Sequence, residues 1–172
     1  MTHSVELLFD QDSDAAIRRE WNALADVGLP SQARHRSPSN RPHVTLLAAG
    51  RVDPAADAAL WEPARQLPLE CVVGAPLVFG RSALTLVRLI VPAAGLLTLH
   101  ESVGSLCAPY VSDGPFPHLR PGHWTPHVTL CRRLAPADLP AALALLGADD
   151  LPATFAALRR WDGDAKVDTV IA

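Results

Sequence analysis

Pro42-His43-Val44-Thr45-Leu46 recurs as Pro126-His127-Val128-Thr129-Leu130, 84 positions later in a chain of 172 residues. At these residue frequencies a chance repeat of that pentapeptide has a probability on the order of one in a few thousand. Successive side chains of a β-strand point to opposite faces. His43 and Thr45 therefore share one face, and Val44 and Leu46 share the other. The same holds for His127 and Thr129 against Val128 and Leu130. Each copy presents an imidazole and a hydroxyl on one side and buries two aliphatic groups on the other.

Working outward, the flanks repeat as well. The first motif opens a strand, His43 to Ala48, and a helix follows near Asp53-Pro54, an N-cap residue with proline at the first helical position. Two β-rich runs come next, Leu69 to Phe79 and Ala83 to Val91. The second motif opens a strand from His127 to Arg132. A helix then spans Asp138 to Leu146, stopping near Gly147, and two strands run from Thr154 to Trp161 and from Lys166 to Ile171. The reading is two β-α-β-β units, each opened by the pentapeptide. A strand at Val5 to Phe9 precedes them. So does an amphipathic helix at Ser13 to Val27, with Ile17, Trp21 and Leu24 on one face and Gly28 as its stop. Another helix, Ala94 to Cys107, joins the halves. The loops 29–41 and 109–126 each run into a motif strand and are placed to rim a shared site.

Composition bounds the function. The chain is 49% hydrophobic and 19% charged, as a globular protein is, and its net charge of −3 argues against a broad surface for long duplex nucleic acid. Aromatic residues make up 5%, too few for an extended base-stacking platform. A small nucleotide or a single RNA end needs only a local positive site. Cys71, Cys107 and Cys131 are odd in number and show no CxxC spacing, so they read as buried thiols in a reducing compartment. The N-terminal segment has no signal-peptide pattern, and the most apolar run, 83–99, is broken by Arg88, Pro92 and Gly95. A cytoplasmic monomer is the expectation.

Two converging imidazoles and two hydroxyls suit phosphoryl chemistry. Hydrolysis of a phosphodiester needs a base to deprotonate water and an acid to protonate the leaving oxygen, and histidine serves both roles near neutral pH. Threonine hydroxyls can donate to the non-bridging oxygens and hold the phosphorus in line. A lone His-x-Thr is weak evidence, since a histidine in a strand is usually a packed residue with satisfied hydrogen bonds. Two copies in matched contexts are different, because packing alone does not call for histidine twice on the polar face. A metal site is the competing chemistry, with His43 and His127 as ligands and His118 or His123 adding more, but no HxH, HExxH or carboxylate-rich signature accompanies them. No GxSxG and no GxxxxGK[ST] occurs.

On these residues the chain resembles the two-histidine (2H) phosphoesterase superfamily, in particular its bacterial 2′-5′ RNA ligase-like and cyclic phosphodiesterase group, which is defined by paired His-x-Thr/Ser motifs. Here the motifs are His43-Val44-Thr45-Leu46 and His127-Val128-Thr129-Leu130, and the resemblance spans nearly the whole chain. It implies an α+β fold, with two pseudo-symmetric β-α-β-β lobes of mostly antiparallel sheet flanking a central cleft in a single domain, 1–172. It implies catalysis by His43 and His127, phosphate binding by Thr45 and Thr129, no cofactor and no metal. The expected substrate is a 2′,3′-cyclic phosphate on a nucleotide or RNA end, with reversible 2′-5′ RNA ligation as a related activity in RNA processing. A non-catalytic nucleotide- or RNA-binding module is the alternative. Arg41, Tyr110, Trp124 and Arg132 lie near the motifs in sequence and are further candidate substrate contacts. Strand alternation places Arg41 on the face of His43 and turns Arg132 away from His127.

Overall fold

The computed structural model describes residues 1–171; Ala172, the last residue of the expected domain, lies outside the described residues. The strands are β1 (His3–Phe9), β2 (His43–Ala49), β3 (Arg51–Val52), β4 (Leu69–Phe79), β5 (Leu84–Ile90), β6 (Val111–Ser112), β7 (His127–Leu134), β8 (Leu151–Asp162) and β9 (Val167–Ile171). The helices are α1 (Gln11–Asp26), α2 (Ala56–Ala64), α3 (Ala94–Cys107) and α4 (Leu139–Ala144). The β-α-β-β order is present twice, as β2-α2-β4-β5 and β7-α4-β8-β9.

Local chemistry accounts for the helix boundaries. The Asp10 carboxylate caps α1 by accepting the Ser13 N–H at 2.9 Å, and Gly28 ends it with a φ of 84°. The buried stripe of α1 includes Ile17, Trp21 and Leu24, as its periodicity requires. Asp53 and Pro54 form the turn ahead of α2 rather than its first residues: Asp53 Oδ1 accepts the Ala55 N–H at 2.9 Å, and the helix starts at Ala56.

The large sheet runs in the order β1-β2-β7-β5-β4-β8-β9, and β1 also pairs with β8. All its pairings are antiparallel, and six strands close into a ring. Residues 155–161 of β8 pair with β1 along one edge, while its other edge pairs first with β4 and then with β9. The register carries a pseudo-twofold axis. Val44 pairs with Val128 and Glu70 with Thr154, and each pair joins residues 84 apart in sequence. The pairing adds something the element order does not contain. β5 sits between β4 and β7, and its symmetry-equivalent place, between β8 and β2, is filled by β1. Leu8 of β1 stands opposite His43, and Leu89 of β5 stands opposite His127. The strand and helix that precede each motif therefore belong to the duplication too.

Val44, Leu46, Val128 and Leu130 are buried in one core with residues of α1, α3 and both halves of the sheet. That anchors one face of β2 and β7 and leaves the polar face to the cleft. Cys71, Cys107 and Cys131 are free and buried. Among the described residues no helix is long and apolar enough to cross a membrane.

Candidate active site

β2 and β7 meet at the Val44–Val128 pair alone. That register sets Thr129 opposite His43 and His127 opposite Thr45, all four on the face away from the valines and all half-buried. The two histidines are then diagonal neighbours, and such neighbours lie about 7–8 Å apart, with their Cβ atoms somewhat closer. One residue beyond the bridge, the carbonyls of Thr45 and Thr129 accept the indole N–H groups of Trp124 and Trp21, each at 3.0 Å. Buried His100 of α3 stacks on Trp124 with ring centroids 4.0 Å apart, and its Nε2–H donates to the Leu119 carbonyl at 2.8 Å. A helix and two tryptophans thus hold the strands where they part.

Both imidazoles are oriented alike. His43 Nδ1 lies 2.8 Å from the Arg41 carbonyl, and His127 Nδ1 lies 2.7 Å from the Thr125 carbonyl. A carbonyl only accepts, so Nδ1 carries the proton in each ring and Nε2 is the nitrogen free for proton transfer. The prolines of the motif fit this arrangement: Pro42 and Pro126 hold the backbone extended between each carbonyl and its imidazole and bring no N–H to compete.

The surroundings of the two rings differ. Glu6 Oε1 lies 3.7 Å from His43 Nε2. Glu6 is buried, accepting Ser4 Oγ–H at 2.6 Å and Arg159 Nε–H at 2.7 Å. Burial pushes the Glu6 carboxyl up, but the charges of His43 and Arg159 and the Ser4 hydrogen bond outweigh it, leaving it below the usual carboxylate range. Arg159 Nη2 is 3.4 Å from His43 Nδ1, a contact between two donors. These groups border a pocket of about 210 Å³ together with Ser39, Asn40 and Trp161. Among the described residues no acidic group acts on His127. Phe79 meets its ring edge-on at 5.0 Å between centroids. Burial draws this imidazole below the ordinary histidine value of 6.5 against the Thr125 hydrogen bond, and the charges of Arg132, His43 and His118 push it the same way.

A second pocket, of about 310 Å³, lies beside His127 and is lined by Phe79, His118, His123, Trp124 and Arg132. Arg132 corrects the strand-alternation reading. The β5–β7 register shifts between Leu86 and Val87, Leu130 and Cys131 are both buried, and Arg132 returns to the His127 side. Tyr110 is not brought to the site. Its carbonyl accepts the Asp53 N–H beside the β3–β6 pair, at the far end of β2 from His43. Arg41 meets the site through its carbonyl. Among the described residues, the metal-type donors that converge within 4.8 Å are His3, Asp162 and Asp164 at the β8–β9 turn, not the histidines of the motifs. Sequence reasoning missed Glu6, Arg159, His100 and Phe79. Glu6 left a signal, as the one acidic residue in an otherwise uncharged, buried strand.

The sequence profile of the 2′-5′ RNA ligase superfamily matches residues 13–165. No curated protein matches the chain in sequence. Among solved structures the chain is similar to a crystal structure of a phosphoesterase, with 17% identity, a TM-score of 0.54, and coverage of 98% of this chain and 92% of that one. It is similar to LigT of E. coli in complex with 3′-AMP, with 16% identity, a TM-score of 0.52 and coverage of 98% and 91%. It is also similar to Usb1 of Kluyveromyces marxianus with uridine monophosphate, with 11% identity, a TM-score of 0.51 and coverage of 99% and 97%. At these identities the likeness is one of fold.

Proposed function

Because the chain belongs to the 2′-5′ RNA ligase superfamily, within the 2H phosphoesterases, we propose that it hydrolyses a 2′,3′-cyclic phosphate on a nucleotide or RNA end, using its own histidines and no metal. The observation that carries this reading is the matched orientation of the two imidazoles: both give Nδ1–H to a carbonyl two residues back and keep Nε2 for proton transfer. Complexes of LigT with 3′-AMP and of Usb1 with uridine monophosphate are in keeping with a nucleotide ligand.

In the step we propose, His127 Nε2 takes a proton from water as the water oxygen bonds to phosphorus. The bond from phosphorus to one ribose oxygen breaks, that oxygen keeps the electron pair, and it receives the Nε2 proton of His43. His127 ends protonated and His43 neutral, and exchange with solvent resets both. A lowered affinity for protons suits His127 to the role of base. The hydroxyls of Thr45 and Thr129 donate to the non-bridging oxygens. The pocket lined by Phe79, Trp124 and Arg132 takes the nucleoside. Ligation to a 2′-5′ linkage is the same ring opening with a ribose hydroxyl in place of water as the nucleophile, and the released ring oxygen takes the His43 proton in the same way.

The test is turnover of 2′,3′-cyclic AMP by protein treated with EDTA. Full activity after chelation is expected, because imidazoles supply both proton transfers. Loss of activity, restored by zinc or manganese, contradicts the reading. Thr45→Val and Thr129→Val keep the side-chain shape and remove one donor each. Each should cost about 1–3 kcal/mol of transition-state stabilisation, read from kcat/KM on the same substrate. Unchanged kcat/KM in both variants removes the threonines from the site.

A further inference from the structure

We propose that the substrate is the end of a single-stranded RNA rather than a free nucleotide, and that the nucleotides preceding its cyclic phosphate lie in a groove running from His43 past Trp161 to Arg36 and Lys166. This deepens the hydrolase reading and rests on it.

The groove begins inside the site. The pocket of about 210 Å³ beside His43 shares His35 and Trp161 with a larger one of about 680 Å³, which continues between the loop 29–41 and the β8–β9 turn. Trp161 stands two residues after Arg159 on β8, so its half-buried ring is on the face that Arg159 turns to His43. Past it, exposed Arg36 and Lys166 line the larger pocket, and among the described residues no carboxylate does. The acids around the groove are engaged elsewhere. Glu6 pairs with Arg159, and Asp162 and Asp164 face His3 at 3.5 and 3.1 Å. The loop wall is held by its own hydrogen bonds. The Asn40 carboxamide donates to the carbonyls of Gln32 and His35, each at 2.9 Å, and Arg159 donates to the Ser39 carbonyl at 2.7 Å.

An aromatic ring followed by cations is what a single strand requires: a base stacks on the ring, and phosphates meet the cations. The duplication shows that this groove is an addition to the repeated site. The positions 84 residues earlier, on β4 and the turn after it, carry Leu77 and Ser82 in place of Trp161 and Lys166. The groove thus gives the cleft a direction, outward on the His43 side. The geometry of a ribose fits that direction. The base leaves the sugar at C1′ and the 5′-linked chain leaves it at C4′, so a base directed toward Phe79 and Trp124 sends the preceding nucleotides the other way, toward His43. A free nucleotide has nothing to place in the groove.

Two measurements test this. The first compares kcat/KM for 2′,3′-cyclic AMP with kcat/KM for a triadenylate that ends in a 2′,3′-cyclic phosphate. The wild type should prefer the trinucleotide. Trp161→Ala should lower the trinucleotide-to-mononucleotide ratio by about 5–150-fold, the worth of one stacked base. Trp161→Phe keeps a ring and should restore most of the ratio. The second measurement needs no turnover and leaves the half-buried tryptophan in place. It follows binding of a labelled triadenylate with a 3′-phosphate by fluorescence anisotropy across a series of KCl concentrations. Replacing exposed Arg36 and Lys166 together, as Arg36→Ala and Lys166→Ala, should lower the slope of log Kd against log salt by about 1.4, since each phosphate contact on a single strand is worth about 0.7. A wild type that turns over neither substrate refutes the hydrolase reading, while the salt series still decides whether the groove binds RNA. A wild type that turns over both substrates without preference overturns the proposal. So does a folded Trp161→Ala with the wild-type ratio together with an unchanged salt slope in the double variant.

Discussion

His43→Ala and His127→Ala each slow hydrolysis of a 2′,3′-cyclic nucleotide by about 10²–10⁴-fold, the usual worth of one general acid or base. Each removes one of two proton transfers that the ring opening needs together. The double variant should lose far less than the product of the two losses, because either substitution alone already disables the concerted path. Both side chains are half-buried at the cleft and away from the valine-lined core, so the variants should fold as the wild type does. The pH dependence follows from the same site. His127 must be neutral to act as base, and its surroundings hold it below the ordinary value of 6.5. The acid limb of kcat/KM should therefore lie below pH 6.5 and vanish from any residual activity of His127→Ala. Near wild-type turnover in either single variant would move the cleft to the alternative reading, a nucleotide-binding module.

Arg88→Ala should be the most destabilising of the single substitutions considered, by about 3–5 kcal/mol. Arg88 is buried on β5 and stands opposite Val128, on the face away from His127. Its guanidinium donates to the Gly74 carbonyl at 2.6 Å, to Glu20 Oε1 at 2.7 Å and to the Asp149 carbonyl at 3.0 Å. It thereby ties β4, α1 and the loop before β8 to one another. Alanine leaves the Glu20 carboxylate without its ion partner and the carbonyls without a donor. For a chain of this size the loss lowers Tm by about 6–20 °C, measured by circular dichroism. A shift under about 2 °C would show that these groups find other partners or water.

Much of this fold was legible because its signals are local. Alternation in the two pentapeptides, the cap at Asp10 and the stripe Ile17, Trp21 and Leu24 are each set by neighbours in sequence, and the structure keeps them. The convergence of the two motifs was legible for another reason: duplicated units tend to pair about a twofold axis, and Val44 against Val128 realises that axis. What escaped was non-local. The face of Arg132 depends on a register shift against β5, which no period-2 reading contains. Tyr110 is close to the second motif in sequence, but its segment pairs with β3 at the other end of β2. Glu6, His43 and Arg159 are far apart in sequence and meet because β1 closes the ring between β2 and β8. The difference between two identical motifs therefore lies in residues outside both of them.

A crystal structure with a non-hydrolysable 2′,3′-cyclic nucleotide analogue tests whether the paired motifs form one site around a phosphate. The phosphorus should lie between Nε2 of His43 and Nε2 of His127, with each nitrogen within about 2.6–3.2 Å of a different phosphate oxygen. Thr45 and Thr129 should contact the non-bridging oxygens, and the nucleoside should lie toward Phe79 and Trp124. A phosphate that reaches only one of the two imidazoles, or an analogue seated elsewhere on the protein, would contradict a single shared site.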